Sequence, residues 1–120
     1  MLTLKNPRMP DKEAVIVDAL ADTDSVYLII PEHVKLQLGL ESQSQKEVSL
    51  ADGSKRMVPY VGPLEVKFKN RVAYVGAIVM GDEVLLGAIP MEDMDLVVIP
   101  HQRLVELNPL NPNYAAAKAK

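Results

Sequence analysis

The sequence predicts an all-β domain, a small barrel or sandwich carrying one or two short helices. Three observations predict it. Short runs rich in Val, Ile and Leu recur along the chain. Turn signals, Asp52-Gly53, Gly62-Pro63 and Gly81-Asp82, separate several of them. From residue 47 to residue 79 the pattern is β throughout, and strands this short and closely spaced suit a barrel or sandwich.

With 120 residues the chain fits one domain, and 48% hydrophobic content supplies a core. That core must be built from Val, Leu, Ile, Met and Ala, because there is one Phe and no Trp. So small a domain often gains from oligomerising.

Residues 1–11 carry two prolines and read as an extended arm. Residues 12–22 read as a strand that enters the core, and 26–30 (VYLII) as a second, well-buried one. Pro31 suits a first helical position, Val34 and Leu38 lie one turn apart, and Gly39 suits a left-handed helix end, so a helix is expected over 31–38. Residues 41–46 (ESQSQK) read as a polar loop. EVSL and KRMVPYV flank Asp52-Gly53 as a hairpin. LEVKF and VAYVGAIVM form a second hairpin about the turn Lys69-Asn70-Arg71, in which Arg71 reads as a polar loop residue. VLLGAIPMEDM follows, then strands at 96–100 and around 103–107. The domain is expected to span 1–112, with a mobile tail over 113–120.

The net charge of −3, with both signs interspersed, argues against a nucleic-acid partner. Without cysteine there is no disulfide or thiolate chemistry, and a reducing cytoplasm is compatible. The first residues lack a signal peptide's apolar stretch, and no apolar run approaches the roughly 20 residues that span a bilayer. A soluble, cytoplasmic protein without a membrane partner is the expectation.

Residues 20–33, LADTDSVYLIIPEH, put two acids two residues apart between segments that read as core. Acids are poor strand formers and costly to bury alone. Locally, Asp22-Thr23-Asp24-Ser25 reads as a tight turn, in which such side chains bond their own backbone. A second stretch, Val84-Leu85-Leu86-Gly87, widens the choice. An apolar-apolar-Asp-Thr-x-Ser element followed later by Leu-Leu-Gly resembles the retropepsin-like aspartic proteases. More narrowly, the chain is similar to the small bacterial homodimeric members of clan AA. IPEHVKLQLGL, LADGSKRMVPYVGPLEV and VLLGAIPMEDMDLVVIP extend the resemblance over most of the chain, in the family's order and spacing.

That resemblance implies a retropepsin-like barrel in which each of two chains supplies half of an active site at a two-fold axis. It implies an aspartic endopeptidase acting on peptide or protein substrates without metal or cofactor. Asp22 would be the catalytic acid or base. Thr23 would bond across the axis, Ser25 would bond the outer oxygen of Asp22, and Gly87, after Leu86, would pack beneath the loop. Ala51, Asp52, Gly53 and Ser54 would form the flap. Two carboxylates brought close together share a proton, so one can act as base toward water and the other as acid.

The sequence departs from the family at Asp24, where glycine is usual. Asp adds a side chain and a charge, so a dimer would gather four carboxylates near one axis. Asp24 could turn outward and leave a working protease, or block the cleft and leave a peptide-binding or dimerising module. The acids could also recruit a divalent cation.

Other residues have plainer readings. His33 and His101 read as surface residues outside any metal-binding spacing. Glu92 and Asp93, with Asp95, sit in or near a short helix after Pro90, whose buried face is Met91 and Met94. No Ser/His/Asp triad and no glycine-rich phosphate loop stands out.

Overall fold

A computed structural model describes residues 1–119. In chain order the elements are β1 (Leu2–Lys5), β2 (Val15–Val17), β3 (Ala19–Ala21), β4 (Leu28–Ile30), α1 (Glu32–Leu38), β5 (Ser42–Ser49) and β6 (Lys55–Phe68). Then come β7 (Arg71–Val79), β8 (Val84–Leu86), α2 (Ala88–Asp93), β9 (Leu96–Ile99) and β10 (Leu104–Leu107). Eight strands form one sheet in the order β2-β1-β6-β7-β4-β8-β3, with β5 paired to β6. The sheet curls into a nearly closed barrel, and β9 and β10 form a separate antiparallel pair.

Alternation along the strands sorts side chains to two faces. Leu28 and Ile30 of β4, Val84 and Leu86 of β8, and Ala73, Val75, Ala77 and Val79 of β7 enter the main core. The intervening Ile29, Leu85 and Ile78 emerge on the opposite face, where Val58 joins them in a second, smaller cluster. β6 serves both faces because its register against β7 slips by one residue between Val61 and Leu64. Val58 and Tyr60 therefore face the small cluster, whereas Leu64, Val66 and Phe68 face the core. A bulge of this kind reverses the side of every later residue. Gly62-Pro63 supplies it, and Pro63 has no N–H to leave unpaired.

The helix expected over 31–38 is present, with Pro31 capping α1 and Gly39 closing it at φ 63°. Buried Asn6 completes that end by donating from Nδ2 to the carbonyl oxygens of Leu38 at 2.9 Å and Gly39 at 3.3 Å. α2 begins at Ala88, ahead of Pro90, and buries Met91; Met94 at its C-terminal cap is buried too. His33 and His101 are exposed.

Several local readings are corrected. The arm over 1–11 contains β1, whose Leu2 and Leu4 enter the core while it pairs with β2 and β6. The strand read over 12–22 is two strands, because the chain changes partners at exposed Asp18. β2 pairs with β1, and β3 runs parallel to β8. Residues 42–46 belong to β5, held by pairing to β6 from Ser42↔Val61 to Ser49↔Lys55. Arg71 is a buried residue at the start of β7, with 1% of its surface exposed, and its Nη2 donates to the Asn111 carbonyl. Residues 113–119 of the expected tail are described, and Lys120 lies outside the described residues. Among the described residues no helix is long and apolar enough to cross a membrane.

Candidate functional site

The loop over 22–27 joins β3 to β4, the strands that flank β8 in the sheet. It is tied to the β8–α2 junction by main-chain bonds. The Asp22 N–H donates to the Leu86 carbonyl at 2.8 Å. The Ala88 and Ile89 N–H groups donate to the carbonyls of Ser25 at 2.8 Å and Val26 at 2.9 Å. So close an approach requires glycine at 87. A Cβ there would lie 2.3 Å from the Tyr27 carbonyl oxygen and 2.7 Å from the Val26 carbonyl carbon.

Within the loop, the Asp22 carbonyl accepts the Ser25 N–H at 3.1 Å, and Asp22 Oδ1 accepts the Asp24 N–H at 3.1 Å. Asp22 and Ser25 are half-buried, whereas Thr23 and Asp24 are exposed. The bonds over 22–25 are those of a turn, so the local reading of this stretch describes its geometry. Leu86 contributes its carbonyl to Asp22, while its side chain is fully buried in the core.

Asp22, Asp24 and Ser25 line a cleft of about 550 Å³. The sheet face beneath it supplies Ile29, Ile78, Met80 and Leu85, and β5 with the start of the following turn supplies another wall through Lys46 to Ala51. The cleft thus has an apolar sheet face, with Asp22 and Asp24 at the loop and Lys46 and Glu47 on the hairpin side. The tip of the β5–β6 hairpin projects as an exposed turn. Leu50 N–H donates to the Ser54 carbonyl at 2.8 Å, and Asp52 Oδ1 accepts both the Ser54 N–H at 2.9 Å and its hydroxyl at 2.6 Å. Those Ser54 bonds hold the Asp52 carboxyl below the usual carboxylate range. Of the tip residues, Ala51 reaches the cleft lining.

Sequence reasoning missed most of this lining, notably Tyr27, Ile29, Lys46, Ile78, Met80 and Leu85. The available signal was alternation, since Ile29 and Ile78 lie between residues that enter the core. Among the described residues no three His, Cys, Asp or Glu side chains gather as a metal site.

No protein-family model matches the sequence, and no curated protein matches it. Solved structures do. The chain is similar to the crystal structure of the retroviral protease-like domain of Ddi1 from Leishmania major. The match covers 90% of this chain and 86% of that one, at a TM-score of 0.57 and 10% identity. At that identity the likeness carries the fold alone: the chain has a retropepsin-like fold.

Proposed function

We propose that the chain is a homodimeric aspartic endopeptidase whose active site pairs Asp22 with the same residue of a second copy. The observation that carries this reading is the position of Asp22. Asp22 stands on a main-chain-pinned loop and lines a cleft between an apolar sheet face and the β5–β6 hairpin. An extended peptide laid in such a cleft can bond to strand edges through its own backbone.

One copy supplies one Asp22, so the chemistry needs two. Like charges in close approach favour a shared proton. The ionised partner takes a proton from water as the water oxygen adds to the scissile carbonyl carbon. The protonated partner donates to the carbonyl oxygen. Collapse of the tetrahedral adduct breaks the C–N bond, and a proton passes to the leaving nitrogen. The turn over 51–54 would close over the substrate as a flap.

A mixed peptide library incubated from about pH 3 to pH 8 with the protein and with Asp22→Asn tests this reading. Cleavage by the first and silence from the second is the expected result. Equal cleavage by both would remove Asp22 from the chemistry.

A second reading, a catalytically silent peptide-binding or dimerising module, is favoured by Asp24, an exposed acid lining the same cleft. Silence from both proteins, with a dimer in solution, selects it. Activity gained in Asp24→Gly then identifies Asp24 as the obstruction.

A further inference from the structure

β5 and the residue after it present Lys46, Val48 and Leu50, all half-buried, in alternation with exposed Gln45, Glu47 and Ser49. The inner face of a hairpin lying over an apolar sheet calls for apolar residues. Two of these three comply, and the third is a lysine. Its Nζ lies 4.9 Å from the ring centroid of Tyr60 and 5.5 Å from that of Tyr27. The two rings meet edge to face at 5.5 Å and 66°. Gly76 makes room for this seat, since a Cβ there would lie 2.1 Å from the Tyr60 hydroxyl oxygen.

Lys46 lines the same cleft as Asp22, yet among the described residues it makes no ion pair. Its neighbour Glu47, exposed at the same cleft, pairs instead with Lys55 at 3.7 Å. The rings hold the ammonium group by its attraction to their faces, and they displace part of its water. An ammonium so placed has N–H donors to spare and no carboxylate to receive them.

We infer that Lys46, seated on Tyr27 and Tyr60, forms a subsite that selects an acidic side chain in the bound peptide. This rests on the proposed reading of the cleft as a peptide site. A Glu or Asp carboxylate entering here gains charge-assisted hydrogen bonds in a partly dry setting. Neighbouring aliphatic side chains of the same peptide cover Ile29, Ile78 and Leu85. The selection also has a repulsive side. Asp22 and Asp24 disfavour an acid placed beside them, so Lys46 fixes which part of the cleft the acid occupies.

The test separates binding from cleavage. Peptides with one aliphatic frame carry Glu, Gln or Lys at each position in turn. Their binding to the Asp22→Asn protein is measured by fluorescence anisotropy, and their cleavage by the unaltered protein by mass spectrometry. In one register Glu is expected to bind about tenfold more tightly than Gln. Adding Lys46→Met, which keeps the stem on the rings, abolishes that preference, and Lys46→Glu turns it toward Lys. Equal binding of Glu and Gln in every register, or a preference that survives Lys46→Met, overturns the subsite. Preference for Glu without cleavage keeps the subsite and removes the peptidase activity. Cleavage without preference keeps the peptidase and removes the subsite, and neither binding nor cleavage removes both.

Discussion

The backbone N–H of Asp24 donates to Oδ1 of Asp22 across 3.1 Å. The bond is made by the main chain at position 24, so any residue there can supply it. Nor does Asp24 have a positive φ: among the described residues the non-glycine cases are Lys69, Asp95 and Arg103. The turn therefore does not require glycine at 24. What Asp24 brings to the site is charge and bulk.

That charge sets a pH dependence for the proposed dimer. Four carboxylates near one axis repel as they ionise, so association is expected to weaken as pH rises from about 4 to about 8. Asp24→Gly keeps the bond to Asp22, halves the charge at the axis, and is expected to flatten the trend. Sedimentation equilibrium at several pH values reads both. A dimer constant that holds or tightens with rising pH in the unaltered protein would show that the acids do not meet.

Gly87 has a different role, and its replacement has a different cost. Its Cβ would enter the main chain at Val26 and Tyr27, where no flexible side chain can yield. Gly87→Ala is expected to destabilise the fold by at least about 1–3 kcal/mol, the range of overpacked interiors. Gly81→Ala is the control. That residue faces open space at φ 70°, so it meets only backbone strain of about 1 kcal/mol. Urea denaturation of the two variants should rank them in that order.

The legible parts of this fold were those with local punctuation. Pro31 and Gly39 bracket α1, and Asp52-Gly53 marks the β5–β6 turn. The first half of β5 has no such mark. Residues 42–45 are all exposed, so no burial pattern is written in them, and their strand state comes from pairing with β6. Reading residues 41–46 as loop also hid Lys46, whose alternation with Val48 and Leu50 was the available clue. Arg71 was misread because its cover arrives from Asn111, far along the chain. The juxtaposition of Asp22 with Leu86 and Gly87 is likewise non-local. Parallel pairing of β3 with β8 creates it, and only family resemblance linked the two stretches beforehand.

Asn6 offers a test of the barrel away from the cleft. It is 4% exposed and fastens the residue after β1 to the end of α1 through the carbonyls of Leu38 and of the capping Gly39. Its own Oδ1 accepts the Arg8 N–H at 3.0 Å. Asn6→Ala leaves the Leu38 carbonyl without this donor in a buried place, and the expected loss is about 1–3 kcal/mol. Thermal or urea unfolding measures it, and a change within error would mean that water replaces the amide freely.

Asp95 fastens the C-terminal segment. Its Oδ1 accepts the Asn108 side-chain amide at 3.0 Å, and its Oδ2 accepts the Asn111 amide at 2.8 Å and the Ala116 N–H at 3.1 Å. The Asn108 bond first, then the Ala116 bond, with smaller help from Asn111 and the Arg71 charge, holds the carboxyl below the usual carboxylate range. A carboxyl lowered by folding stabilises the fold fully above its unfolded value, and that contribution fades as pH falls through the folded one. The segment is therefore expected to loosen in acid, below about pH 4. In NMR spectra the Ala116 amide proton should shift with a midpoint under that value. Asp95→Asn, whose side chain also tolerates the left-handed backbone at this residue (φ 54°), should abolish the titration and speed Ala116 amide exchange at neutral pH. An Ala116 amide that neither titrates nor gains exchange would mean that the tail beyond residue 112 is free of Asp95, as the sequence by itself suggested.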